Sequence, residues 1–177
     1  SVRCPGWTEE LLLALGRVYI TNKTRDFLYV LDPASDLITD SIAVGPGANS
    51  IVEDRHGRLW VACAGSTAQG ILPSLKRIDP ATRQVEASYA FANATDSPWR
   101  LRINGSSDTL YFLNKDVYRM PIGATDLPAS AFAQAGDRNL YGLGIDPHNG
   151  TVLRYRPDGG PIGTFQAGTI PAEFVFR

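Results

Sequence analysis

The sequence holds two cysteines, two histidines and one methionine among 177 residues, and each scarcity closes a class of function. Two cysteines cannot make a disulfide framework. Neither Cys4 nor Cys63 belongs to a C-x-x-C pair, so a structural zinc site has no ligand set. Cys63 ends the apolar run Leu59-Trp60-Val61-Ala62-Cys63 and reads as a small buried hydrophobe. Long apolar stretches are also missing. The longest, Leu11 to Leu15, is far too short to span a bilayer. Neither charge is in excess: 17 basic and 18 acidic residues leave a net charge of −1, which argues against a nucleic-acid surface. The start lacks the charged and apolar segments of a signal peptide, as expected where one is absent or already removed. Helical periodicity is scarce as well: only Trp7 to Leu15 could form a short helix, and it reads equally as a strand.

What is present is short runs of Val, Ile, Leu, Tyr, Phe and Trp, separated by turns that draw on 17 glycines and 12 prolines. These runs repeat. Leu28-Tyr29-Val30-Leu31-Asp32-Pro33, Leu75-Lys76-Arg77-Ile78-Asp79-Pro80, Val117-Tyr118-Arg119-Met120-Pro121 and Val152-Leu153-Arg154-Tyr155-Arg156-Pro157 are each a strand running into a turn. Where Asp precedes Pro, its carboxylate can accept a local backbone N–H while Pro presets a type I turn. A further strand follows at Ile38 to Val44, Val85 to Phe91 and Pro161 to Phe165. Another precedes at Val18 to Ile20, Leu59 to Val61 and Leu110 to Leu113.

The units therefore hold four short strands, here lettered A to D from the inside outward, with a period of 40–47 residues read from the aligned positions. That is the period of a propeller blade, and the expected fold is an all-β β-propeller. An immunoglobulin-like sandwich would not show this self-similarity. Approximate blades are 9–48, 49–97, 98–139 and 140–172, with 173–177 as the inner strand of one more. The expected A strands are Glu9–Leu13, Asn49–Glu53, Trp99–Ile103, Tyr141–Ile145 and Phe174–Arg177. In the fourth unit Thr151 begins a C strand immediately after the A–B turn, which predicts a segment lost between Gly150 and Thr151.

Gly16-Arg17-Val18-Tyr19-Ile20-Thr21-Asn22, followed by Leu28-Tyr29-Val30-Leu31-Asp32-Pro33-Ala34, resembles the YVTN-type repeat of bacterial surface propellers. With Gly47 to Asp54, Asn104 to Tyr111 and Tyr141 to Pro147, the chain is similar to seven-bladed cell-surface propeller lipoproteins of Bacteroidota. The resemblance implies exposure at the outer membrane through an N-terminal lipid anchor that this sequence does not contain. It also implies work beside a TonB-dependent transporter and, in one branch of the group, capture of corrinoids.

No residue pattern points to catalysis. His56 and His148 occupy equivalent A–B turns, each two residues after an Asp, and turn chemistry accounts for both better than acid–base work or metal ligation. No Gly-x-Ser-x-Gly elbow or phosphate-cradling loop is present, so neither a catalytic set nor a metal or cofactor is expected. Matches to the N-glycosylation pattern at Asn22, Asn93 and Asn104 lie in turn-rich segments where they arise by chance, and a fourth, at Asn149, spans the expected break after Gly150. The expected site lies where D–A loops rim the central channel: Asn49, Ser50, Trp99, Arg100, Arg138, Asn139, Tyr141 and Glu173. B–C loops around Asn22-Lys23 and Asn114-Lys115 would add polar contacts. An aromatic ring beside an arginine offers a stacking surface and a forked donor. Binding of a small ligand, with a corrinoid as the lead, is the expected function. A lactonase-like hydrolase and a structural or adhesive module are the alternatives.

Overall fold

The computed structural model describes residues 1–133, 150–156 and 158–167. Their strands form four antiparallel sheets joined by nearest-neighbour connections. The first sheet comprises β1 (Thr8–Ala14), β2 (Arg17–Asn22), β3 (Phe27–Asp32) and β4 (Leu37–Ala43). The second comprises β5 (Ala48–Glu53), β6 (Leu59–Cys63), β7 (Ser74–Asp79) and β8 (Gln84–Ala90). The third holds β9 (Trp99–Ile103), β10 (Thr109–Asn114) and β11 (Asp116–Pro121); the fourth holds β12 (Gly150–Tyr155) and β13 (Pro161–Ala167). This is the blade arrangement of a β-propeller, with β1 lying against β5 and β5 against β9 as innermost strands.

The ambiguous segment after Trp7 is a strand. Its burial alternates, with Leu11 and Leu13 exposed and Leu12 and Ala14 turned inward, which is period two rather than 3.6. The strands expected at Tyr141–Ile145 and Phe174–Arg177 lie outside the described residues. The break expected between Gly150 and Thr151 falls inside β12, where these residues pair with Ala167 and Gln166.

Turn chemistry repeats as faithfully as strand pattern. The Asp32 carboxylate accepts the Ala34 N–H at 3.1 Å, and Asp79 accepts that of Ala81 at 2.9 Å. Four residues on, Asp36 and Arg83 both take left-handed backbone, with φ of 56° and 59°, closing the two C–D turns in the same way. The A–B turns are anchored from inside. Buried Asp54 accepts the N–H groups of His56 (2.8 Å) and Arg58 (3.0 Å) on one oxygen and the Trp60 indole N–H (2.8 Å) on the other. In the third sheet the Asn104 side-chain oxygen serves the same purpose, accepting the N–H groups of Asp108 and Thr109.

Two apolar layers hold the blades face to face. Between the first and second sheets lie Tyr19, Leu28, Val30 and Ile42 against Ile51, Leu59, Val61 and Ile78. Between the second and third, Trp60, Leu75 and Phe91 meet Leu101, Phe112 and Met120. Trp60 is fully buried and stacks on Tyr89 with ring centroids 5.6 Å apart; Phe91 meets Phe112 edge-on at 5.9 Å. Cys63 belongs to the first layer. Both cysteines are free, and burial pushes the Cys63 thiol up to about 12, Lys76 pulling weakly the other way, so it packs as a hydrophobe and supplies no thiolate.

Replacing Asp54 by Ala leaves two turn amides and the Trp60 indole N–H without their acceptor. Urea unfolding should show a loss of about 3 kcal/mol, with Asp54→Asn losing less because one acceptor oxygen remains. A loss below about 0.5 kcal/mol would show that this turn is not anchored from within.

Candidate ligand-binding mouth

Each described innermost strand is irregular at the same end. The β1–β2 ladder slips between Thr8 and Leu11, the β5–β6 ladder between Ala48 and Ser50, and the β9–β10 ladder between Trp99 and Arg102. In every case the inner strand carries one extra residue, which is a β-bulge, a device that re-aims side chains. Matching the ladders puts Glu9, Asn49 and Trp99 at one equivalent position and Glu10, Ser50 and Arg100 at the next. Ile51 and Leu101 share the position after that.

The second of these positions stitches neighbouring blades together. Glu10 Oε2 accepts the Ile51 N–H of the next blade at 3.1 Å, and Ser50 Oγ accepts the Leu101 N–H of the blade after at 3.0 Å. Glu10 Oε1 also accepts from Arg102 Nη1 at 2.8 Å, so one carboxylate touches three blades. Asn49 completes the set: its amide donates to the Pro98 carbonyl at 2.9 Å, and its oxygen accepts the Ser50 hydroxyl at 2.8 Å.

The residues expected to bind a ligand thus divide. Asn49 and Ser50 lie within β5 rather than in a loop; their polar atoms hold the scaffold, and Ser50 is buried. Trp99 and Arg100 are half-buried at the start of β9, with the guanidinium 5.2 Å from the Trp99 ring centroid. Arg100 takes left-handed backbone, φ 53°, a conformation that non-glycine residues occupy at a cost of about 1 kcal/mol or more and that gathers at binding sites. Arg138, Asn139, Tyr141 and Glu173 lie outside the described residues.

The B–C asparagines also serve the scaffold. Asn22 donates to the Pro5 carbonyl at 2.6 Å, and Asn114 accepts the Ser97 N–H at 2.9 Å, each tying the chain that leads into its own innermost strand. Lys23 is exposed, 5.8 Å from the Trp7 ring centroid and 3.7 Å from the Glu9 carboxylate. Sequence reasoning passed over Trp7 and Glu10. The signal for Trp7 was its place just ahead of the innermost strand β1, as Trp99 opens β9; Glu10 was hidden because a bulge cannot be read from alternation.

Beside the mouth, the long B–C connection of the second blade borders a cleft of about 350 Å³ lined by Gly45, Pro46, Ile71, Leu72, Lys76 and Ser88. Ile71 and Leu72 are exposed there. On the A–B turn side a second hollow of about 450 Å³ holds Arg55, His56, Arg58, Arg77 and Glu86. Its arginines are engaged: Arg58 and Arg77 with Glu86 at 3.0 and 3.2 Å, and Arg55 with Asp108 at 3.4 Å. His56 is exposed, its backbone N–H on Asp54, so it is a turn residue; His148 lies outside the described residues. Among the described residues, no three His, Cys, Asp or Glu side chains are grouped to hold a metal ion, and no helix is long and apolar enough to cross a membrane.

No protein-family model matches the chain, and no curated protein matches it by sequence. Solved structures do. The hydrazine synthase of Kuenenia stuttgartiensis superposes with a TM-score of 0.61 over 86% of this chain and 46% of that one, at 12% identity. Dihydro-heme d1 dehydrogenase NirN, in a complex with DHE, gives 0.53 over 68% of this chain and 30% of that one, at 13% identity. Both are similar through their β-propeller folds, and the chain spans less than half the length of either. Likeness at this level of identity concerns fold alone.

Ser50→Ala removes the acceptor of the buried Leu101 N–H. A loss of about 1–3 kcal/mol in urea unfolding is expected, larger than for Ser88→Ala, whose hydroxyl accepts from Lys76 at 3.2 Å in an exposed contact. Equal losses would mean that the inter-blade bond contributes nothing beyond a surface contact.

Proposed function

We propose that this chain belongs to a non-enzymatic binding propeller that takes a small ligand at the mouth marked by Trp99 and Arg100. The observation that carries this reading is the Trp99–Arg100 pair, the guanidinium 5.2 Å from the ring centroid, held on a bulge with Arg100 in left-handed backbone at the start of an innermost strand. Asn49 and Ser50 support it from behind by fixing the Pro98 carbonyl and the Leu101 amide on either side of the pair. A flat ring with a planar cation over it suits a ligand that has conjugated faces and acceptor or anionic edges. A corrinoid meets that description, which agrees with the YVTN-type surface-propeller resemblance. Placement at the outer membrane of a Bacteroidota cell, docked on a TonB-dependent transporter, extends the same reading.

Isothermal titration calorimetry with cyanocobalamin tests it. Saturable binding with one site per propeller is expected, weakened about tenfold or more by Trp99→Ala and by Arg100→Ala, about 1.4 kcal/mol or more each. No heat with cyanocobalamin would remove the corrinoid assignment. Unchanged affinity in both variants would move the site away from this mouth.

A further inference from the structure

The second strands of the first three sheets carry an aromatic ring at one ladder position: Tyr19 opposite Val30, Trp60 opposite Arg77 and Tyr111 opposite Arg119. The polar tip of Trp60 is satisfied by its own A–B turn, where Asp54 accepts the indole N–H at 2.8 Å. The first sheet has no such acceptor, because its A–B turn is only the step Leu15-Gly16 between β1 and β2. Tyr19 is 3% exposed, yet its hydroxyl has no hydrogen-bond partner among the described residues. No fully enclosed side-chain polar atom among the described residues lacks a partner, so this hydroxyl is reached from outside. It opens into a cleft of about 380 Å³ at the junction of the first and second sheets. A polar group held this deep without a partner marks a place where a partner is to be supplied.

The charged groups around the two rings match as well. Arg17 precedes Val18 as Arg58 precedes Leu59, Asp32 corresponds to Asp79, and Thr39 corresponds to Glu86, the last two being the bulge residues of β4 and β8. In the second sheet Arg58 is held by two carboxylates, Glu86 at 3.0 Å and Asp79 at 3.5 Å, and Glu86 takes Arg77 as well at 3.2 Å. In the first sheet Arg17 pairs with Asp32 at 2.7 Å. The place of the second carboxylate is held by Thr39, whose hydroxyl donates to the Val30 carbonyl at 3.3 Å. Arg83 enters the same cleft from the C–D turn of the second sheet and pairs with Asp40 across the junction. Each guanidinium meets its aspartate through Nη1 alone, which leaves most of its five N–H donors for another acceptor. Burial pushes the Tyr19 phenol up from its ordinary range, with Arg83 and Arg17 pulling it back and Glu53 adding more weakly to the rise. The phenol therefore keeps its proton and can donate it, beside two cations.

We infer that this cleft binds a small organic carboxylate, seated where Glu86 sits in the next sheet and held by Arg17, Arg83 and the Tyr19 hydroxyl. A planar carboxylate matches the forked donors of a guanidinium. Leu15, Val30, Pro80 and Ala81 also line the cleft, so the acid carries an apolar body against them. The site lies on the A–B and C–D turn side, away from the Trp99–Arg100 mouth, and every group in it belongs to the first two sheets.

Titration of the chain with hexanoate, followed by nuclear magnetic resonance, reads this out. Saturable shifts are expected at the amides of Tyr19, Ala81 and Arg83 and at the arginine side-chain N–H groups. Thr39→Glu supplies the second carboxylate from within, and it should weaken hexanoate binding about tenfold or more. Thr39 is exposed on its bulge, so the fold tolerates the change. Tyr19→Phe keeps the ring in the apolar layer and should cost about threefold or more in affinity through the hydroxyl alone. No saturable shift, equal binding of hexanamide, equal binding of sulfate, or an affinity indifferent to either substitution would each overturn the inference. Cyanocobalamin binding should be the same in Tyr19→Phe as in the unaltered chain, so this site and the mouth can fail separately.

Discussion

The Glu10 carboxylate is the contact on which the inner wall depends. It sits on a bulge of β1, accepts an amide from the second blade at 3.1 Å and takes a guanidinium from the third at 2.8 Å. Blades otherwise meet through apolar layers, and apolar layers are non-directional: they hold two sheets together without deciding how far one slides over the next. A charge-assisted bond to one amide does decide it. Ser50 repeats the device one blade later, with a neutral hydroxyl in place of the carboxylate.

This arrangement explains why the mouth is built on irregular backbone. Regular pairing would point the second bulge position along the sheet; one extra residue turns it toward the next blade. At the third occurrence the position holds Arg100, beside Trp99 rather than Asn49. The scaffold positions and the candidate binding residues are therefore the same places in the repeat, filled differently from blade to blade. A propeller can in this way change its ligand without changing its fold.

The fold was legible because its signals are local. Short apolar runs located β2 to β13 closely, Asp-Pro turns marked the ends of the third strands, and the spacing of Asp32 and Asp79 displayed the blade. The segment after Trp7 stayed open between helix and strand, since Leu11 to Leu15 is apolar throughout and only burial separates its faces. The site was half legible. Trp99 and Arg100 stand out by type and place, but nothing local shows that Asn49 and Ser50 bond to Pro98 and Leu101, about fifty residues on. Glu10 and Arg102 are 92 residues apart, and a contact at that separation leaves no mark on composition or periodicity. Asp54 was seen as part of a turn, not as the acceptor for Trp60, since the indole's direction depends on the packed neighbours.

Native-state hydrogen exchange in a Glu10→Ala protein tests most directly whether one carboxylate sets the register of three blades. The Ile51 amide, and with it the inner strands β5 and β9, should exchange substantially faster than in the unaltered chain, while β3, on the far side of the first sheet, keeps its rate. Unchanged exchange at Ile51 and along β9 would contradict that account and leave the apolar layers as the whole of what aligns the blades.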